Sequence, residues 1–312
     1  MASPRQNFYE IFNSHPATVQ PITDALANAS PFGFVELAST CFSMKYLLSS
    51  CVLTAGGLLA LACTQLPAET NPTQLAGRST ASLVAASTSV PAAGADTAGY
   101  ETRPPRDPNG IGRYYLGRQI AHVMGHEGAD WLERSGRREE EGTDLLLREL
   151  QLKPTDVVAD IGAGTGFFSF RIAKLVPSGQ VLAVDIQPEM IAELERNKRI
   201  NNAPNVRPVL GTTSDPRLPA GGVDLALIVD AYHEFDHPRE MGQAIRAALR
   251  PGTGRLALVE YRAEDPNVPI KQIHKMSVAQ ARKEMAAVGL EFVEVKESLP
   301  QQHLLIFKRK LR

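Results

Sequence analysis

The sequence predicts an α/β fold: a mostly parallel sheet with helices on both faces, ending in an antiparallel hairpin. Two observations predict it. From Leu145 onward, short apolar runs alternate with amphipathic stretches of helical period, which is the pattern of parallel strands joined by crossover helices. Near the C-terminus, FVEVKES and HLLIFKRK are two alternating runs with no helical stretch between them, so the sheet should close on a hairpin rather than another crossover.

The elements can be taken in order. LLLRELQ reads as an amphipathic helix, Pro154-Thr155-Asp156 as a turn, VVADIG as a buried strand and FFSFRIAKLV as the next helix. VLAVDI is a second strand, and PEMIAELERNKRIN is a helix with proline in its first turn, where the missing N–H has no partner to lose. VRPVLGT, VDLALIVDAY and RLALVEY follow as strands, with PREMGQAIRAALR as a helix before the last of them and SVAQARKEMAAVG as a helix after it.

Upstream of this domain the chain divides by composition. Residues 1–43 carry scattered prolines without apolar period and read as a disordered extension. Residues 44–63, MKYLLSSCVLTAGGLLALAC, have the layout of a secretory signal, and the ending Leu59-Ala60-Leu61-Ala62-Cys63 resembles a bacterial lipobox. Gly56-Gly57 and the length favour a cleaved or lipidated signal over a permanent anchor. Met44 is then the expected initiator; an internal apolar segment in a genuine extension, or a targeting peptide of another kind, is the alternative. Residues 64–106, rich in Ala, Ser, Thr and Pro, are expected to be a flexible linker. Residues 107–144 are expected to form cap helices over the domain at 145–312.

The net charge of −1 argues against a nucleic-acid surface. All three cysteines, Cys41, Cys51 and Cys63, precede residue 64, so the domain has neither a thiolate metal site nor a cysteine nucleophile.

The loop after the first domain strand reads Asp160-Ile161-Gly162-Ala163-Gly164-Thr165-Gly166. Glycines there let the backbone turn sharply and approach a ligand at the start of a helix. A dinucleotide fingerprint would place glycine at 167, which is Phe. Asp185 ends the next strand, where a carboxylate can accept ribose hydroxyls. Asp230, Tyr232, His233 and Glu234 follow the fourth strand, where this sheet type presents residues to the reacting centre.

VVADIGAGTGFFS, VLAVDIQPEM, VDLALIVDAYHEF and LRPGTGRLALVEY together resemble the motifs of the class I S-adenosylmethionine-dependent methyltransferases, over roughly Leu145 to Lys310. The resemblance implies a Rossmann-like, seven-stranded sheet, S-adenosylmethionine as cofactor and a small-molecule O, N or C acceptor. By position it implies that Gly162, Gly164 and Gly166 line the methionine and ribose, and that Asp160 orients the loop or meets the amino group. Asp185 would bind the ribose and Ile186 pack on adenine. Thr212 stands where many members have an adenine-binding aspartate, and Asp230 is expected at the cofactor. His233, with Tyr232 and Glu234, is the candidate proton acceptor; capping the next helix is the plainer role. The competing reading of the whole chain is an exported, membrane-associated lipoprotein that keeps the fold as a scaffold; without a working signal the chain would be cytoplasmic.

The segment Arg113 to Arg134 reads as a helix or two, with Tyr114, Tyr115, Arg118, His122, His126 and Trp131 available to an acceptor or simply completing the core. His122 and His126 would share a helical face, with no third metal ligand apparent. Arg137 to Glu141 reads as a solvated charged face.

Overall fold

The structure, a computed structural model, describes residues 98–309. The extension at 1–43, the apolar run at 44–63 and most of the linker expected at 64–106 lie outside the described residues.

The described chain opens with a finding the sequence reading did not foresee. Strands β1 (Tyr100–Thr102), β2 (Gly110–Tyr115) and β3 (Arg118–Ala121) form a three-stranded antiparallel sheet. The linker therefore ends before residue 100, and the first part of the expected cap helices is strand. The β2–β3 turn explains why this was missed. Leu116 and Gly117 both have positive φ, 47° and 92°, as a two-residue hairpin turn requires, but Leu-Gly lacks the Asn or Asp that usually signals one. Packing overrides that local cost: Tyr114, Tyr115 and Ile120 are fully buried, and the Tyr100 and Tyr115 rings sit 5.0 Å apart. Helix enters only with the short α1 (Ala129–Leu132), α2 (Arg137–Glu141) and α3 (Thr143–Glu149).

The domain beyond follows the expected alternation. It runs β4 (Val157–Ile161), α4 (Ser169–Leu175), β5 (Gln180–Asp185), α5 (Pro188–Ile200), β6 (Val206–Leu210) and β7 (Leu225–Val229). Then come α6 (Pro238–Ala248), β8 (Arg255–Arg262), β9 (Lys275–Met276), α7 (Val278–Ala287), β10 (Leu290–Lys296) and β11 (Gln302–Arg309). The sheet order is β6-β5-β4-β7-β8-β11-β10, with β11 antiparallel to both of its neighbours. The seven expected strands are present, and the two-residue β9 adds an eighth beside β8.

Alternate residues of each strand enter different cores. Val158, Val181, Leu225 and Ala257 pack with Phe170, Ile172 and Leu194, whereas Ala159, Leu182, Ala226 and Leu256 pack with Met241, Ile245 and Met285. Burial on both faces is why these strands read as continuous apolar runs. Helix α7 starts where Ser277 accepts a hydrogen bond from the Gln280 N–H at 3.1 Å, an N-cap. Strand order reverses between β4 and β7, so the connections leaving their C-terminal ends diverge and open a crevice.

Candidate active site

That crevice is a cavity of about 440 Å³, within the range of small-molecule sites. At one end lies the glycine loop. Gly162, Gly164 and Gly166 have φ of 78°, 55° and 92°, conformations that side chains resist. A Cβ on Gly162 would stand 2.8 Å from the Ala231 Cβ, and one on Gly164 would stand 2.5 Å from Leu132 Cδ1. Glycine thus lets the loop sit against both the end of β7 and the cap. The Gly162 and Ala163 N–H groups donate to the Val184 carbonyl, and the Gly164 N–H donates to Asp185 Oδ2 at 3.0 Å.

Asp185 is held on its second oxygen as well, Oδ1 accepting from the Gln187 N–H at 3.0 Å. Burial raises its pKa, opposed by these N–H groups. Each oxygen keeps a lone pair for a further donor, and Ile186 lines the cavity beside it. Asp160, 3% exposed, accepts from Ser169 Oγ at 2.6 Å. Burial pushes its pKa up to about 6, against the pull of Ser169 and of the Arg137 guanidinium.

The other end of the cavity is built after β7. Asp230, at φ 49°, accepts from Gln302 Nε2 at 2.8 Å through Oδ2. His233 and Glu234 belong to a 3-10 turn, Tyr232–Glu234. His233 is 1% exposed, and its Nδ1 lies 2.7 Å from Glu260 Oε2, on β8. Its Nε2 lies 3.1 Å from Nδ1 of His274. Burial alone would lower the His233 pKa, but Glu260, with Glu234 and Asp230 adding, raises it. Burial also lifts the Glu234 carboxyl to about 7 and, helped by His233, depresses His274 to about 3.

Several expected site residues are placed elsewhere. Tyr232 is 1% exposed and does not line the cavity; its hydroxyl donates to Glu284 Oε2 at 2.9 Å. Thr212 closes its own turn, Oγ1 accepting from the Asp215 N–H at 2.9 Å, and Thr213 is the neighbour that reaches the cavity. Arg118 is spent on a bidentate pair with Glu284, at 2.7 and 2.9 Å, and on the His233 carbonyl. Tyr114 and Tyr115 are buried in the small sheet. His122 follows β3 and His126 opens a separate 3-10 turn, so they share no helix face.

Three features escaped the sequence reading. The charged run is not wholly solvated: Arg137 and Glu141, one helical turn apart, are 5% and 3% exposed, pair at 3.0 Å and line the cavity, while Arg138, Glu139 and Glu140 face out. Their i, i+4 spacing was the available signal. Glu260 and His274 carried none, since Glu260 is a polar residue inside an apolar strand and His274 lies in a polar 3-10 turn with no motif around it. A strap after β3 crosses the cavity: the Met124 N–H donates to Glu234 Oε2 at 3.1 Å and its carbonyl accepts from Gln187 Nε2 at 3.0 Å.

Fold and site together define an α/β domain whose crevice is lined by a glycine loop at one end and a buried histidine–glutamate pair at the other. Comparison shows what the domain is similar to. Residues 158–254 match the methyltransferase domain model. The chain is 33% identical over 135 residues to an uncharacterised methyltransferase-like protein of Schizosaccharomyces pombe, covering 43% of this chain and 49% of that one. It is 36% identical over 126 residues to the ribosomal protein L11 methyltransferase of Thermus thermophilus, covering 39% of this chain and 46% of that one. The chain thus spans about half the length of these curated relatives. A solved S-adenosylmethionine-dependent methyltransferase from Aquifex aeolicus superposes with a TM-score of 0.57 at 21% identity, over 60% of this chain and 100% of that one, a likeness of fold. Residues 158–254 thus match a methyltransferase domain, the fold is that of the class I S-adenosylmethionine-dependent methyltransferases, and the cofactor this likeness implies is S-adenosylmethionine. The cradle fits that group: a loop that a Cβ would block, and buried carboxylates at Asp160 and Asp185 for its amino and hydroxyl donors.

Proposed function

We propose that the protein transfers a methyl group from S-adenosylmethionine to a small-molecule O, N or C acceptor that gives up a proton. One observation carries the reading: a single cavity is lined by the glycine loop and Asp185 at one end and by His233, Glu234 and His274 at the other. The strap at Met124 bridges the two ends, which favours an acceptor small enough to lie beneath it. A ribosomal protein is named for one relative; a macromolecular acceptor here would have to insert a single side chain or base.

The bound cofactor supplies a methyl carbon on a positively charged sulfur, open to in-line displacement. The chain's own residues do the rest. Asp185 would hold the ribose hydroxyls and Asp160 the amino cation. Arg137 lines the same pocket; with Nε on Glu141 and Nη1 on the Leu132 carbonyl, it would offer Nη2 to the carboxylate. Positioning is the larger contribution, since holding two reactants aligned removes much of the entropic barrier. Glu260 holds the His233 ring by Nδ1, and Nε2, on exchanging its contact with His274 Nδ1 for the acceptor, would take the acceptor's proton during transfer. The bound cofactor would supply the methyl carbon for the new bond, and the electron pair of its carbon–sulfur bond would stay on sulfur.

The test is a screen of phenolic, carboxylic, amine and activated-carbon acceptors, read as S-adenosylhomocysteine formed by the full chain. His233→Ala should lower kcat by about 10²–10⁴ on any acceptor found, the usual contribution of proton transfer, with cofactor affinity little changed. Unchanged kcat in that variant would remove His233 from the chemistry. Turnover on intact ribosomal protein or RNA alone would replace the small-molecule reading.

A further inference from the structure

Three donor atoms converge at the acceptor end of the cavity. His233 Nε2 lies 3.1 Å from His274 Nδ1 and 3.7 Å from Glu234 Oε1. One ligating atom from each of His233, Glu234 and His274 lies within 4.8 Å of the other two. Two nitrogens bound at about 2.0–2.1 Å to one tetrahedral zinc stand roughly 3.4 Å apart, so the histidine pair already has close to the needed separation. A shared proton accounts for the contact between the two rings. It does not account for Glu234 Oε1, which is beyond hydrogen-bonding distance yet faces the same point.

The surroundings are those of a ligand set. Glu260 Oε2, 2.7 Å from His233 Nδ1, directs the ring and leaves Nε2 as the ligating atom, the carboxylate–histidine arrangement found behind metal-bound imidazoles. Glu234 is oriented from its other oxygen by the Met124 N–H at 3.1 Å. The three side chains come from two separate segments, the turn after β7 and the 3-10 turn Gln272–His274 before β9, so their meeting is not a by-product of local sequence. Asp230 lines the same cavity, and its buried Oδ1 accepts no hydrogen bond among the described residues. With Glu260 and Glu234 it leaves this end rich in buried carboxylate.

We propose that His233, His274 and Glu234 bind one divalent first-row cation, with an open coordination position facing the cavity. Two imidazoles and one carboxylate match catalytic zinc sites, and other divalent ions of that row accept the same donors. The cation replaces the proton shared by the two histidines. A hydroxyl or similar group of the acceptor that fills the open position is held in place and made more acidic. This deepens the methyltransferase reading and rests on it for that role. When the cation is bound, His233 serves as a ligand and coordination, rather than Nε2, acidifies the acceptor.

The test uses the full chain without a histidine tag, stripped by chelator and titrated with Co²⁺ while visible absorption is followed. S-adenosylmethionine is titrated into the same samples by calorimetry. The expected result is one Co²⁺ per chain with the strong visible bands of a four- or five-coordinate site, displaced by Zn²⁺. Glu234→Gln, which keeps the side chain's shape, and His274→Ala should each weaken Co²⁺ binding at least tenfold; thermal melting checks that they fold. Absence of cobalt bands in a chain that binds S-adenosylmethionine would overturn the metal site and leave the methyltransferase reading standing. Bands unchanged in both variants would also overturn it. Cobalt binding without S-adenosylmethionine binding would keep the site and remove its proposed role.

Discussion

Asp160 shows how a single residue could couple the proposed cofactor binding to stability. Its carboxyl is buried against the glycine loop and its pKa is raised from 3.8 to about 6. A raised acid favours the protonated form in the folded state, so the folded protein binds more protons than the unfolded chain between those two values. The cost of holding it ionised therefore grows as pH rises from about 4 to 6 and is complete above 6, on the order of 1–3 kcal/mol. Asp160→Asn should be more stable than the parent by about that amount at pH 7.5, with the difference shrinking as pH falls toward 4 in thermal melts. The same variant should bind S-adenosylmethionine more weakly, since the amide cannot meet an amino cation with charge. A variant that is less stable at pH 7.5 would refute the account of this residue.

At the scale of elements, the small antiparallel sheet is what closes the site, and it is docked by charge. Arg118 on β3 and Glu284 on α7 form a bidentate pair with side chains 9% and 0% exposed, and the Tyr232 hydroxyl donates to the same carboxylate. Tyr100 of β1 reaches Glu240 on α6 at 2.6 Å. Removing one member of a buried pair leaves an uncompensated charge and typically costs about 3–5 kcal/mol. Arg118→Ala should lose stability of that order in urea unfolding. Arg118→Ala paired with Glu284→Leu should recover part of it, because no lone charge remains. Equal losses in the single and double variants would show that the pair does not dock the cap.

This cap was also the least legible part of the sequence. Strands β4, β5, β7 and β8 are buried on both faces and announce themselves as apolar runs, and the Gly162–Gly166 loop is set by local backbone demands, so both could be read directly. The hairpin β2–β3 is short, turns through Leu116-Gly117 and gains its stability from long-range tyrosine packing. Local pattern carries little of that. That Asp160, Gly162, Gly164 and Asp185 line the cavity was legible for the same reason as the central strands: all lie at strand ends or in the loop beside them. His233 was found by its place after β7, but Glu260 and His274 join it only through the sheet, from 27 and 41 residues away. Tyr232 and Thr212 were misassigned because residues one apart in a tight turn face opposite ways, and sequence does not say which faces the ligand.

For the whole molecule, the methyltransferase match covers residues 158–254, while the chain's destination is a proposal that rests on residues 44–63. If that run works as a lipoprotein-type signal, the native chain should begin at Cys63, and mass spectrometry should recover no peptide from residues 2–40. Recovery of such a peptide would retire both the signal and Met44 as the start. The central claim, a working cofactor site joined to the His233 end of one cavity, is tested most directly by calorimetric titration of S-adenosylmethionine into the full chain, with Asp185→Ala as control. Charged hydrogen bonds contribute about 1.5–3 kcal/mol each, so the account predicts saturable one-to-one binding that weakens by roughly ten- to a hundredfold in the control. No binding to the folded protein, or equal binding to both, would contradict it.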